Sequence, residues 1–316
     1  MHNDAAPPAA DGRSEFLNDL RSGLARTQKS VPGKYLWDEA GSVLFDAVCD
    51  SADYYPTRRE TALLRREAKT IARMVGPGIS LVEYGSGASH KIRILLDALD
   101  QPRRYVAIDI SHAFLHSACS RIARDYPDLD VVPVCADYTR PIELSPTPGP
   151  RSVLGFFPGT TIGNFDAAGA VAFLSRVRRT LGASAFLVGV DPNSDRAGLS
   201  RAYADRGGRM AALHGNLLIR IARETGADLD PADFRHEARV LGDPLRVEAH
   251  LVALRPVDCE IAGEVVSFAK GESIHTDTSH KYEPQIFREL AAAAGWDPAR
   301  CWMDEGNLYS LHLLRN

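Results

Sequence analysis

Asp277 and Ser279 stand two residues apart in the stretch IHTDTSHKY, residues 274–282. In an extended segment, residues i and i+2 point the same way. One face would then offer a carboxylate and a hydroxyl together. The plainer reading is a polar strand face with a helix cap, because EPQIFRELAAAAG follows with an amphipathic pattern. A second constellation lies earlier, in LVEYGSGAS (residues 81–89). It follows an apolar run and precedes a helical one, and Gly85 and Gly87 let the backbone turn tightly and approach a ligand. Asp109 ends the next apolar run, where an acid can accept from ribose hydroxyls. Asp137 ends the third, followed by Tyr138.

A glycine loop after a strand is shared by several nucleotide folds. Two details narrow it. The residues after Gly87 are ASHK, with no third glycine at dinucleotide spacing, and Glu83 precedes the loop. A helix start without a phosphate-gripping glycine loop suits a ligand that lacks phosphates, such as S-adenosylmethionine. In that reading Asp109 takes the ribose, Asp137 and Tyr138 border the adenine, and Lys91 meets the methionine carboxylate. The alternative is that Asp109 and Asp137 only cap the helices that follow. No histidine or cysteine cluster has metal-ligand spacing, so no metal is expected. His90, His112, His116, His214 and His250 read as surface or core residues, and His275 and His280 flank the acid–hydroxyl pair without an assigned role.

These residues need elements to place them. From about residue 60 to 190 helix and strand patterns alternate: TALLRREAKTIARMV, ISLVEYG, KIRILLDALD, RYVAIDI, SHAFLHSACSRIARDYP, LDVVPVCADY, SVLGFFPG, DAAGAVAFLSRVRRTLG and SAFLVGVDPN. Repeated βα units imply a doubly wound sheet. Ser111 is suited to cap the helix it opens. Residues 194–245 then read as mostly helical. VEAHLVALRP, CEIAGEVVSFAKGE and ESIHTDTSHKY read as antiparallel strands, and the α/β pattern returns in PQIFRELAAAAG and CWMDEGNLYSLHLL. A second module therefore interrupts the first. The expected division is a disordered tail over 1–14, a sheet domain over 59–193 and 282–316, and a recognition domain over 15–58 and 194–281.

Composition excludes several classes. The chain has 316 residues, 45% hydrophobic and 25% charged, with a formal net charge of −4. That is ordinary globular composition with no bulk electrostatic case for nucleic acid or an anionic membrane. No apolar run is long enough to span a bilayer. The five cysteines are widely spaced without a CxxC pair, which argues for reduced thiols and a cytoplasmic location. The expected partner is a small molecule, not nucleic acid or membrane, and the expected state is a monomer.

GFFPGTTIGNF, residues 155–165, makes the reading specific. It resembles the GSTIGNF signature of the histidine-specific, S-adenosylmethionine-dependent methyltransferases. KYLWDEAGSVLFDAVCDSADYYPTRRE, EYGSGASHKIRILLDAL, YVAIDIS, RAYADRGGRMAALHGNLL and IHTDTSHKY agree in order and spacing. The resemblance covers nearly the whole chain after about residue 15. It implies a class I (Rossmann-like) α/β methyltransferase sheet with an inserted second α+β domain, acting on the α-amine of a free amino acid, L-histidine first. By the same resemblance Tyr54, Asn164 and Tyr203 hold the substrate's carboxylate and amine, with Tyr54 and Asn164 orienting the amine for reaction. Asp277 and Ser279 recognise its side chain. Gly85, Lys91, Asp109, Asp137 and Tyr138 bind the cofactor. Phe45, plain core on the residues alone, becomes an aromatic neighbour for a quaternary ammonium.

The chain departs from that pattern at three positions. Asp277 replaces a usual glutamate, Leu251 a frequent methionine and Trp37 a tyrosine. An aspartate reaches less far by about 1.5 Å, one C–C bond. Histidine then shifts, a water fills the gap, or the substrate is longer. Arginine, methylated on its guanidinium, is the longer candidate because a guanidinium forks onto a carboxylate. A non-catalytic S-adenosylmethionine-binding protein is the competing class. The presence of Tyr54, Asn164, Tyr203 and Ser279 speaks against it.

Overall fold

The structure is a computed structural model that describes residues 9–87, 91–144, 153–182 and 184–316. In chain order the elements begin with helices α1 (Ala9–Leu24), α2 (Glu39–Cys49) and α3 (Tyr55–Val75). An alternating stretch follows: β1 (Ser80–Tyr84), α4 (Ile92–Ala98), β2 (Arg104–Asp109), α5 (His112–Asp125) and β3 (Asp130–Cys135). It continues through β4 (Val153–Phe157), α6 (Ala167–Leu181) and β5 (Ser184–Val190). Next come α7 (Arg196–Ala204), α8 (Arg209–Thr225), β6 (Phe234–Leu241), β7 (Arg246–Ala253), β8 (Val257–Ile261), β9 (Glu264–Phe268) and β10 (Ser273–His280). The chain closes with α9 (Pro284–Ala293), β11 (Asp297–Met303) and β12 (Ser310–Arg315).

Two compact units result. One comprises Tyr54–Leu199, Leu241–Arg246 and Ser279–Asn316. It holds a seven-stranded sheet ordered β11-β12-β5-β4-β1-β2-β3. Strands β1 to β5 run parallel to their neighbours, while β12 pairs antiparallel with β5 and with β11. This is the expected α/β sheet. Its apolar runs are short because both faces are covered. Leu81, Tyr105, Leu154 and Phe156 pack on one face with Leu63, Leu64 and Ile71 of α3, Leu95 of α4 and Ile122 of α5. Val82, Val106, Ile108 and Phe157 pack on the other with Phe173 and Val177 of α6 and Phe287 of α9. Strand order reverses between β1 and β4. A crevice beyond the carboxyl ends of the strands at such a switch point is where open α/β sheets bind ligands.

The other unit comprises Met1–Asp53, Ser200–Val240 and Val247–Thr278. Its three-stranded sheet is ordered β10-β7-β6, and β8 and β9 form a separate antiparallel pair. Its core gathers Phe16, Leu20 and Leu24 of α1, Leu217 and Ile221 of α8, and Leu251, Phe268 and Ile274. The expected tail over 1–14 lies partly outside the described residues, at 1–8. Residues 9–14 are helical, because the stripe Phe16-Leu20-Leu24 anchors α1 and the helix continues back from it. The helical reading of 194–245 ends at Thr225. Strand β6 escapes it because FRHEARVL buries only Phe234. Ser111 stands at the cap position of α5, but its side chain makes no capping hydrogen bond.

Candidate functional site

In the sheet-bearing unit the first cluster forms where β1 ends. Gly85 and Gly87 have φ of +71° and +50°, the left-handed region that glycine enters without a Cβ penalty. The Gly85 and Ser86 N–H groups both donate to Ile108 O (2.8 and 3.1 Å), which folds the loop over β2. Asp109 Oδ2 accepts from Gly87 N–H at 2.9 Å and Oδ1 from Ser111 N–H at 3.0 Å. Asp109 therefore does more than cap α5: it also pins the glycine loop. Burial pushes its pKa up, and backbone N–H donors oppose that. Each carboxylate oxygen keeps a lone pair that could accept from a diol.

Asp137 lies just past β3, where Oδ1 accepts from the N–H and hydroxyl of Thr139 at 2.9 and 2.6 Å. Tyr138 stands edge-on to Phe157 and Phe173, with centroids 5.5 and 6.0 Å apart. A Cβ on Gly85 would lie 3.6 Å from its ring. Ser86 Oγ is buried and has no hydrogen-bond partner among the described residues. A Cβ on Gly87 would meet nothing within 4 Å. An orphaned hydroxyl, an open glycine and an engaged but unsaturated carboxylate fit a polar ligand with ribose hydroxyls. Residues 88–90, which complete the ASHK reading, lie outside the described residues.

Two carboxylates that sequence reasoning passed over organise the neighbouring region. Glu60 of α3 is fully buried. It pairs with Lys91 and accepts from Gly159 N–H at 2.8 Å. Tyr309 donates to Gly159 O at 2.6 Å. Lys91 thus meets Glu60 here, so a ligand carboxylate would have to compete with or join that pair. Below the loop, burial lifts Glu83 to about 8, and Tyr105 donates to it at 2.5 Å. Held up by burial, that carboxyl puts less negative charge under the loop than an ordinary carboxylate would.

The second carboxylate, Asp191, follows β5 and is 2% exposed. Its Oδ2 accepts from Tyr55 at 2.6 Å and from Lys281 at 2.7 Å, and its Oδ1 from Asn193 N–H at 2.9 Å. Lys281 also donates to Ser279 Oγ at 2.8 Å. Tyr54, next to Tyr55, is buried and precedes α3. Asn164 ends a short 3-10 turn, Thr161–Asn164, and is exposed. Gly163 lets that turn close on the end of β10: a Cβ there would lie 2.6 Å from His280 O, and His280 Nδ1 meets Gly163 O at 2.9 Å. Tyr54 and Ser279, expected in the recognition segments, both fall in this unit.

In the other unit Phe45 of α2 stands edge-on to Trp37, with centroids 5.1 Å apart. Tyr203 of α7 and Asp277 of β10 are half-buried, and Leu251 of β7 is buried. Gly33 keeps room for Asp277, since a Cβ there would lie 2.9 Å from Asp277 Oδ1. Among the described residues no helix is long and apolar enough to cross a membrane.

Comparison decides the family. Residues 16–316 match the histidine-specific, SAM-dependent methyltransferases. The chain belongs to that family. Histidine N-alpha-methyltransferase of Mycolicibacterium smegmatis is 36% identical over 312 residues, spanning 96% of each chain. Its namesake from Mycobacterium tuberculosis is 36% identical over 308 residues, spanning 96% of this chain and 95% of that one. Ergothioneine biosynthesis protein 1 of Neurospora crassa is 27% identical and covers 90% of this chain, which matches 33% of that longer protein. The protein is therefore an S-adenosylmethionine-dependent amino-acid N-methyltransferase, and the expected cofactor and fold class stand. For this methyltransferase Glu60 had a readable signal: it occupies a core position in the helical period of Leu63, Leu64, Ala68 and Ile71. Asp191 had none, because its partners at 55 and 281 reach it only on folding, whereas Lys281 continues the i, i+2 face of Asp277 and Ser279.

Proposed function

We propose that this protein methylates the α-amine of free L-histidine. The observation that carries the reading is the 36% identity to histidine N-alpha-methyltransferases along nearly the full length of both chains. The same relatives weigh against the arginine alternative.

S-adenosylmethionine would supply a sulfonium-bound methyl group, which a nitrogen lone pair attacks in line so that the N–C bond forms as the C–S bond breaks and the thioether leaves. The protein's task is then positioning, desolvation and charge control. The turn at Gly85 and Gly87 would let backbone approach the cofactor, and Asp109 would accept from its ribose. Asp137 and Tyr138 would border the adenine, and Lys91, paired with Glu60, would meet the methionine carboxylate. On the substrate side, Tyr54 and Asn164 orient the amine as a neutral nucleophile, and Tyr203 holds the carboxylate. Asp277 and Ser279 recognise the side chain, and Phe45 faces the growing positive charge, which an aromatic face stabilises. With a shorter carboxylate than the usual glutamate, Asp277 meets the imidazole through a shift of the ring or a bridging water.

The test is a screen of free amino acids with purified protein and S-adenosylmethionine, read by mass spectrometry. Histidine turning over ahead of every other amino acid is the expected result. Preference for arginine would overturn the assignment.

A further inference from the structure

We propose that Glu60 is a positioning residue for methyl transfer: its carboxylate fixes the start of the turn that carries Asn164. The inference rests on the reading that Asn164 orients the substrate amine.

Glu60 is fully buried, and two donors from different elements converge on it. Lys91, at the start of α4, pairs with Oε2, and Gly159 N–H donates to Oε1 at 2.8 Å. A carboxylate has an oxygen for each donor, whereas the amide of a glutamine has one oxygen for the two. That need accounts for an acid on the core face of α3, where burial without such partners would be costly.

Gly159 is gripped by both of its backbone groups. The Tyr309 hydroxyl donates to Gly159 O at 2.6 Å. Gly189 of β5 leaves room for that contact, since a Cβ there would lie 1.9 Å from Tyr309 Oη and 2.3 Å from Gly159 O. Gly159 itself has a φ of +73°, a left-handed conformation that suits glycine. From this anchor the chain runs into Asn164 through a tight turn. Thr161 Oγ1 donates to Pro158 O at 3.2 Å, and Gly163 N–H donates to Thr160 O at 2.8 Å. A shift at Gly159 therefore passes along the turn to Asn164. In-line transfer to an amine is sensitive to such a shift, because a misplacement of about 1 Å can cost a hundredfold in rate. Glu60 would act through the turn and not on the reacting atoms.

The test is a double-mutant cycle on the full-length enzyme, with L-histidine varied at saturating S-adenosylmethionine. The variants are Glu60→Gln, Asn164→Ala and the pair. In Glu60→Gln the single amide oxygen should stay with the charged Lys91, leaving Gly159 N–H without its acceptor. The expected result is a loss of about tenfold or more in kcat/KM for histidine, with cofactor affinity by calorimetry retained. Tyr309→Phe removes the other grip without a change of charge and should lose about three- to tenfold. In the Asn164→Ala background neither change should cost more, because the turn then has no amide to place. General structural damage would not saturate in this way. If Glu60→Gln fails to fold, Tyr309→Phe takes its place in the cycle. Effects that multiply would overturn the role of Glu60 and leave Asn164 in the site, as would an unchanged kcat/KM in both Glu60→Gln and Tyr309→Phe. An unchanged kcat/KM in Asn164→Ala would remove Asn164 from the site, and the inference with it.

Discussion

Replacing Gly163 with alanine adds one methyl group where the short turn carrying Asn164 meets the end of β10. Gly163 is not among the glycines with positive φ, so alanine brings no backbone strain of its own. The difficulty is space. The new Cβ would lie 2.6 Å from His280 O and 3.2 Å from His280 N, and both are backbone atoms that no rotamer change can move. Reaching an acceptable contact of about 3.2 Å requires the turn and strand to separate by roughly 0.6 Å, and overpacking of this kind costs about 1–3 kcal/mol. The separation also stretches the 2.9 Å bond between His280 Nδ1 and Gly163 O, worth about 1 kcal/mol net. Asn164 moves with the turn and Ser279 with the strand. A misplacement approaching 1 Å can lower turnover about a hundredfold. We therefore expect Gly163→Ala to lose roughly 10- to 100-fold in kcat/KM for histidine and several degrees in Tm, with cofactor affinity retained. Steady-state kinetics and calorimetry on the same preparation measure both. An unchanged kcat/KM would show that the contact between turn and strand does not set the geometry of amine or side-chain recognition.

Gly85→Val should abolish cofactor binding while circular dichroism stays native. A valine is strained at φ +71°, although its Cβ alone would fit against Tyr138; unchanged affinity by calorimetry would remove this loop from the cofactor site. Asp277→Glu should keep or improve histidine turnover, because it restores reach to the imidazole, and Asp277→Asn should weaken binding by roughly 1.5–3 kcal/mol. Steady-state kinetics that are indifferent to both changes would take Asp277 out of recognition. Burial holds His214 at about 3 against 6.5 unfolded, and its stacked neighbour His236 at about 4. A depressed histidine pKa gives stability that is complete above 6.5 and lost as pH falls towards the folded value, so His214 alone should cost roughly 2 kcal/mol between pH 7 and pH 5. Urea midpoints that do not shift over that range would contradict it.

The sheet was legible because its strands are short apolar runs that stop at glycine or aspartate, as at Tyr84–Gly85 and Ile108–Asp109. Strand β6 was not, since an edge strand exposing Arg235 and half-exposing Glu237 and Arg239 carries no core pattern. The glycine loop and its following acid could be read locally, and the structure adds the Gly87–Asp109 hydrogen bond that joins them. The deeper polar framework could not be read. Tyr55, Asp191 and the Ser279–Lys281 pair are separated by up to 226 positions in the numbering and come together only when the end of β5 meets the start of α3 and the end of β10. Glu60 lies in between: its helical position marks it as core, but in a helix as rich in charge as α3 one more carboxylate does not stand out.

The most direct measurement is the site of the methyl group itself. Histidine labelled with 15N at the α-nitrogen, incubated with the enzyme and S-adenosylmethionine carrying a 13C methyl, gives a product whose 13C–15N coupling reports the bond formed. The expected result is one-bond coupling between the new methyl carbon and the labelled α-nitrogen. A methylated product without that coupling, carrying its methyl on the imidazole, would contradict it.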